Sequence, residues 1–127
     1  MLEYVSSPKA PAAIGPYSQA VKAGGFLYLS GMMPIDPATG LLEPDDIRLQ
    51  TARILRNIDG LLSDAGYTEA DVVKTTCFLS DIANFAAFNE VYAGYFVHKP
   101  ARSCVAVKDL PKGAMVEVEV IACRTEE

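Results

Sequence analysis

Two stretches of this chain place groups capable of polar chemistry at defined spacing: Pro100-Ala101-Arg102-Ser103-Cys104-Val105 and Met115-Val116-Glu117-Val118-Glu119-Val120. Strand side chains alternate faces, so Arg102 and Cys104 share one side of their strand, and Glu117 and Glu119 share one side of theirs. A hairpin about Pro111 sets Cys104 opposite Glu117 and Arg102 opposite Glu119. That gathers a guanidinium, a thiol and two carboxylates on one surface, with Val116, Val118 and Val120 as the dry face. Arg presents a planar fork that matches two carboxylate oxygens at once, which Lys does not. A neighbouring carboxyl can then move protons once partial burial lifts its pKa towards neutrality. The same alternation also fits a surface ladder of cross-strand ion pairs, each worth about a few tenths of a kcal/mol. Spacing alone leaves both readings open.

Several further residues are candidates. In Ile14-Gly15-Pro16-Tyr17-Ser18-Gln19-Ala20, proline fixes its own φ and biases Gly15 away from helical angles, which stiffens the approach to Tyr17. Tyr17 then reads equally as a pocket wall or as a half-buried strand residue. Ser30-Gly31 ends an apolar run, where a glycine permits close backbone approach to a ligand but also suits an ordinary turn. Asn89 sits among aromatic residues at helical spacing and can cap a loop or touch a ligand. Cys77, in mid-strand, reads as core packing. A Cys104 nucleophile activated by His98 would need a charge partner that lowers the thiol pKa, and the six-residue separation across Pro100 imposes no contact.

The elements that must position these groups follow from periodicity. Phe26 to Leu29 reads as a strand paired with Tyr17 to Lys22 through the Gly24-Gly25 turn. Pro34, Asp36-Pro37 and Thr39-Gly40 mark a loop. From Asp45 the apolar period lengthens: Ile47, Ile54, Leu55, Ile58, Leu61, Leu62 and Ala65 form a helical stripe. Asp45 and Asp46 suit its N-terminal end and Gly66 its stop. Asp71 to Leu79 has buried-strand composition, Ala83 to Phe96 returns to helical spacing, and two strands follow at Ser103 to Val107 and Met115 to Cys123. One α+β domain over residues 1–127 results, a sheet with two helices on one face. No third long helix remains for the opposite face, so burial against other subunits is expected.

Composition narrows the function classes. The formal net charge of −5 and the scattered Lys and Arg residues disfavour nucleic acid and anionic membrane as general partners. No stretch approaches the roughly 20 apolar residues needed to span a bilayer. The first residues, Met1-Leu2-Glu3-Tyr4, lack the basic and apolar regions of a secretory signal, so a cytoplasmic location is expected. Three cysteines without a CxxC pair suit a reducing compartment. With His98 the only histidine, a His-rich metal site is excluded. A Cys3His site would require Cys77, Cys104, Cys123 and His98 to converge with no paired spacing; no metal is expected.

The stretches Ile14-Gly15-Pro16-Tyr17-Ser18-Gln19-Ala20, Ser30-Gly31, Pro100-Ala101-Arg102-Ser103-Cys104-Val105 and Leu110-Pro111-Lys112-Gly113 leading to Val116-Glu117-Val118-Glu119 closely resemble the Rid family. That family is also called YjgF-like, or endoribonuclease L-PSP, and the match runs in order from Ala12 to Ala122. The resemblance implies a chorismate mutase-like α+β subunit with a mixed β-sheet, assembled as a homotrimer around an inner barrel with ligand clefts between subunits. It implies a cofactor-free deaminase that hydrolyses 2-aminoacrylate and related 2-imino acids, such as 2-iminobutanoate and 2-iminopropanoate, to 2-oxo acids and ammonia. Matched position by position, Arg102 takes the substrate carboxylate, Glu117 and Cys104 hold the attacking water, and Tyr17, Ser30, Gly31 and Asn89 line the cleft. Two departures bear on pocket width: only Val97-His98-Lys99 separates Phe96 from Pro100, and Met32-Met33 follows Gly31 where relatives often carry glutamine. Other readings are an endoribonuclease or translation inhibitor, a name some members of the family bear, and a non-catalytic small-carboxylate-binding or chaperone-like module. A chorismate mutase is possible by fold, but fold does not fix function.

Overall fold

The computed structural model describes residues 1–125, and its architecture grows from one long amphipathic helix laid on a sheet. Helix α1 spans Ile47–Ala65, and Asp46 caps it by accepting hydrogen bonds from the Arg48 and Leu49 amides. It stops where Gly66 turns left-handed at φ 90°. Its buried face carries Ile54, Leu55, Ile58, Leu61 and Leu62, as the apolar stripe predicts, but also Gln50, Thr51 and Asn57. These three polar residues find partners, although the buried Asn57 Oδ1 has none among the described residues. The Gln50 amide donates to the Glu43 and Pro44 carbonyls and its oxygen accepts from the Met115 amide. Thr51 donates back to the Ile47 carbonyl, and Asn57 to the Met33 and Ile35 carbonyls.

The sheet has six strands: β1 (Glu3–Val5), β2 (Ala20–Ala23), β3 (Phe26–Met32), β4 (Val72–Leu79), β5 (Ala101–Ala106) and β6 (Val116–Cys123). Their spatial order is β1-β2-β3-β6-β4-β5. Strands β2 and β3 form the expected hairpin about Gly24, whose φ of 61° requires the left-handed conformation. The first strand of that pair begins at Ala20 and leaves Tyr17 in a loop, while the second runs on through Ser30 and Gly31. Gly31 is therefore a strand residue and not a turn glycine. Strand β1 lies outside the sequence-based expectations.

The expected hairpin between the last two strands does not form. Strand β4 lies between β5 and β6, paired parallel to β5 and antiparallel to β6. The physical reason is the second helix, α2 (Phe85–Tyr95), which carries the chain back over the sheet from β4 so that β5 starts beside the start of β4. Residues 107–115 then cross the end of β4, where the Val107 amide donates to the Leu79 carbonyl and the Ser80 amide to the Met115 carbonyl. The sheet is mixed as a result.

Both helices cover the same sheet face. Leu27, Leu29 and Met32 of β3, Val116, Val118, Val120 and Ala122 of β6, and Val72, Cys77 and Leu79 of β4 are buried beneath them. Phe88, Tyr92 and Phe96 close the core from the α2 side. The opposite face is uncovered in the single chain. Tyr4, Phe26, Tyr28 and Val105 there are 43–70% exposed, far above what a finished sheet shows to water. Among the described residues no helix is long and apolar enough to cross a membrane.

Candidate active site

Lateral register decides which chemical groups meet. Arg102 stands beside Thr75 on β4 and, beyond it, Val120 on β6; Cys104 stands beside Cys77 and Val118. Thr75, Val118 and Val120 are fully buried under the helices, so Arg102 and Cys104 belong to the helix-covered face. Glu117 pairs with Phe78 and Glu119 with Thr76, on the uncovered face. The expected common surface for guanidinium, thiol and carboxylates is thus contradicted within one chain: the register across the intervening strand puts the basic and acidic groups on opposite sides. Pairing of Cys104 with Glu117, and of Arg102 with Glu119, does not occur.

Arg102 is held by three residues of α2 and its approach. Asn89 accepts a hydrogen bond from Arg102 Nη1 at 2.7 Å. The guanidinium carbon lies 4.8 Å from the Tyr92 ring centre and 5.6 Å from that of Phe85, a cation–π arrangement that fixes the plane of the fork. Phe85, Asn89 and Tyr92 fall at i, i+4 and i+7, one face of the helix. Tyr92 is itself anchored through its hydroxyl to Thr75 Oγ1 at 2.7 Å. Among the described residues no carboxylate pairs with Arg102. An oriented, half-buried guanidinium with one hydrogen bond among the described residues has donors left that can receive an external anion. A shallow concavity of about 190 Å³ opens beside it, bordered by Tyr92, Phe96, Lys99 and Pro100.

Cys104 sits next to Arg102, half-buried and packed against the core. Burial pushes its thiol pKa up, against a smaller opposing pull from Arg102. The side chain is therefore a neutral thiol at physiological pH, able to hydrogen-bond but poorly suited to nucleophilic attack. His98 does not activate it: the imidazole Nε2 lies 2.9 Å from the Val72 carbonyl oxygen. Cys77 is core, as expected, with burial pushing its thiol to about 12.

Glu117 occupies the other half. It lines a cleft of about 660 Å³ together with Tyr17, Ser30 and Gly31. A β-carbon at Gly31 would collide with the Glu117 carboxylate, so the bare glycine backbone is what allows that carboxyl to lie flat on β3. Desolvation raises the Glu117 pKa from its ordinary value, and the nearby Glu119 charge raises it further. The Ser30 hydroxyl donates to the Ser18 carbonyl at 2.6 Å and its amide to the Gln19 carbonyl at 3.0 Å. The loop that carries Tyr17 is stapled from inside by Gln19, whose amide nitrogen donates to the Ser7, Ala10 and Pro11 carbonyls while its oxygen accepts from the Ser7 amide. Gln19 and Lys112, which borders the same cleft, were not among the residues singled out from sequence. A glutamine buried in a loop has no periodic signature, and its role emerges only once the folded loop supplies the carbonyls.

Two half-sites therefore exist on one chain. Tyr17, Ser30, Gly31 and Glu117 come together around an acid whose pKa burial raises. Arg102, Asn89 and Cys104 come together around an unpaired cation on the other face. One offers a cation to an anionic group and the other an acid, and neither half contains the complementary group. No grouping of three or more His, Cys, Asp or Glu side chains able to hold a metal occurs among the described residues.

The chain also has measurable likeness to known proteins. A family model described as Endoribonuclease L-PSP matches residues 7–124. A RutC family protein of Pyrococcus horikoshii is 50% identical over 123 residues, covering 96% of this chain and 98% of that protein. The chloroplastic Reactive Intermediate Deaminase A of Arabidopsis thaliana is 46% identical over 121 residues, covering 94% of this chain and 65% of that longer protein. Among solved structures, the Rid family protein YyfA of Yersinia pestis superposes with a TM-score of 0.95 at 49% identity, covering 98% of this chain and 100% of that one.

Proposed function

This chain belongs to the endoribonuclease L-PSP family, also called Rid, and from that premise we propose that it hydrolyses 2-aminoacrylate and related 2-imino acids to 2-oxo acids and ammonia, at a site shared between two copies of itself. The observation that carries the reading is Arg102: a guanidinium without a carboxylate partner among the described residues, oriented by Asn89 and Tyr92 as a carboxylate clamp. The name of the Arabidopsis relative points to the same chemistry.

The reaction follows from the two half-sites. The enamine tautomerises to the imine in solution or in the cleft. Arg102 grips the carboxylate with its fork, which fixes C2 and leaves the imine nitrogen facing the Glu117 carboxyl of the neighbouring copy. Glu117, whose pKa burial raises, protonates that nitrogen. Water, held by the resulting carboxylate and the neutral Cys104 thiol, attacks C2. Glu117 takes up the water's proton and returns it to nitrogen; as the carbinolamine collapses to the 2-oxo acid and ammonia, its hydroxyl proton passes back to Glu117 and restores the acid. Substrate and water supply every atom, so no cofactor takes part. Imine hydrolysis is already quick in water, so positioning and one acid–base group, each worth about 10²- to 10⁴-fold, suffice.

A second copy is required because one chain cannot close the site. The exposed face carrying Tyr4, Phe26, Tyr28 and Val105 suits burial against a partner of the same kind, and the homotrimer with an inner barrel of sheets is the arrangement we propose. Three unpaired thiols, Cys77, Cys104 and Cys123, suit the reducing cytoplasm, where pyridoxal-phosphate dehydratases release such imines.

A coupled assay tests the reading: 2-iminopropionate or 2-iminobutanoate generated in situ, with 2-oxo acid release followed for the wild type and Glu117→Ala. Accelerated release by the wild type and none by the variant is expected. An equal rate for both, or ligand-dependent melting without turnover, would instead favour a carboxylate-binding module. The family model's name carries an endoribonuclease reading; the net charge of −5 and the lack of a basic stripe weigh against it. Cleavage of RNA that vanishes in Arg102→Ala would restore it.

A further inference from the structure

Thr75 is fully buried in the middle of β4, level with Arg102 in the register between β4 and β5. A valine has nearly the same shape and would fill that place without the desolvation that a hydroxyl incurs. The buried polar residues among the described ones are Ser7, Gln19, Gln50, Thr51, Asn57 and Thr75. The first five bond backbone groups of loops or of α1, and so build the fold. The Thr75 hydroxyl has side-chain partners instead: the Tyr92 hydroxyl at 2.7 Å and the Cys77 thiol, which donates to it at 3.9 Å.

That bond ends on the ring that carries the carboxylate clamp. Tyr92 spans two lateral neighbours of the sheet, its hydroxyl reaching Thr75 and its ring centre lying 4.8 Å from the Arg102 guanidinium carbon. Phe88 and Phe96 pack on the same ring at centroid distances of 5.5 and 4.8 Å. Asn89, on the same helix, accepts from Arg102 Nη1 at 2.7 Å. A helix pinned to β4 through one buried hydroxyl thus presents both the aromatic plate and the amide to the guanidinium. Burial pushes the Tyr92 phenol up from its ordinary value, so the hydroxyl pair stays neutral at working pH.

We propose that Thr75 is a positioning residue for the clamp: through Tyr92, its hydroxyl sets the height and tilt of the plate against which the Arg102 fork lies. The inference rests on the deaminase reading, in which that fork takes the substrate carboxylate. Thr75 itself touches no substrate.

The test compares the wild type, Thr75→Val, Thr75→Ser, Tyr92→Phe and the double variant Thr75→Val/Tyr92→Phe, with 2-iminobutanoate generated in situ by an amino-acid oxidase. Release of 2-oxo acid in competition with semicarbazide gives kcat and KM, and melting is followed on the same preparations. Thr75→Val and Tyr92→Phe should each raise KM about tenfold, the order of a desolvated cation–π contact. The kcat value and its pH profile should be kept, since Glu117 lies on the other sheet face. Thr75→Ser retains the hydroxyl and should keep KM near that of the wild type. The two substitutions break one bond, so the double variant should show about a tenfold rise in KM rather than about a hundredfold. Its melting temperature should exceed that of either single variant, because no orphan hydroxyl is left buried. Should Thr75→Val fail to fold, Tyr92→Phe reads the same bond from its other end. Lowered melting with wild-type KM in the single variants makes the hydroxyl pair purely structural; it overturns the proposal and leaves the deaminase reading standing. KM effects that multiply in the double variant overturn it as well. A wild type that turns over no imine removes both.

Discussion

Gly31→Ala isolates the placement of the proposed acid. The backbone of Gly31 is not left-handed, so alanine is permitted there without torsional strain. The added β-carbon, however, would lie 2.8 Å from Glu117 Cδ and 3.2 Å from Cγ, where ordinary contact begins at 3.4 Å, and it would overlap Oε2 outright. The atoms in the way are the far end of a flexible side chain, so the strand holds and the carboxyl swings aside by about 1 Å. An off-rotamer Glu costs about 0.5–1.5 kcal/mol, and the loss of glycine freedom in the unfolded chain returns about 0.4–1 kcal/mol. Stability is therefore expected to change by less than about 1 kcal/mol. Catalysis is expected to fall by about 10²-fold in kcat/KM, the usual effect of displacing a reacting group by 1 Å. Thermal melting and the coupled 2-oxo acid assay, run on the same preparation, separate the two quantities. Gly60→Ala is the control: there the new β-carbon would meet Lys9 Cβ at 2.6 Å, so melting should fall while specific activity of the folded protein is kept. Wild-type kcat/KM in Gly31→Ala would refute the claim that the seat of Glu117 on β3 matters.

Other residues give independent checks. Arg102→Lys keeps the charge and loses the fork, so it should lose at least about 10²-fold in kcat/KM with an unchanged circular dichroism spectrum. Asn89→Ala removes the hydrogen bond that orients Arg102 and should cost about tenfold or more, chiefly through KM, since hydrogen bonds to charged groups are worth about 1.5–3 kcal/mol. Cys104→Ser should retain most activity and Cys104→Ala should lose about tenfold, in line with a neutral thiol that orients water; complete loss in Cys104→Ser would instead indicate a thiolate. For Glu117 the folded pKa is raised, so its favourable contribution to stability is full below the ordinary carboxylate pKa and is lost as pH rises through the elevated value. Glu117→Gln should thus melt above the wild type at neutral pH, with the gap closing towards pH 4 and below, as a melting series against pH would show.

The helix α1 was legible because its signals are local. An apolar period of 3.6 and a capping Asp46 with a left-handed Gly66 involve residues close in sequence. Strand alternation likewise told correctly that Arg102 shares a face with Cys104, and Glu117 with Glu119. It does not say which strand lies beside which. The expected β5–β6 hairpin failed because the β4–α2–β5 crossover inserts β4 between them, and the register across β4 sets Cys104 level with Val118 and Arg102 level with Val120, which leaves the cation and the acid on opposite faces. Buried polar residues were equally hidden. Gln19, Gln50 and Asn57 look like surface residues in sequence, since the carbonyls that satisfy them come from loops as far as 24 residues away or, for the Gln50 oxygen, from an amide 65 residues on. Tyr17 and Asn89, each left between two readings, are resolved by place: one borders the Glu117 cleft and the other clasps Arg102.

A site built from two copies has a direct signature in mixed assemblies. Arg102→Ala and Glu117→Ala are each expected to be inactive, and reassembly of the two at equal amounts should restore about a quarter of the wild-type activity, because half of the contributing copies bring an intact Arg102 and half of their neighbours an intact Glu117. Mixed oligomers that demonstrably form yet stay at background would contradict the shared site.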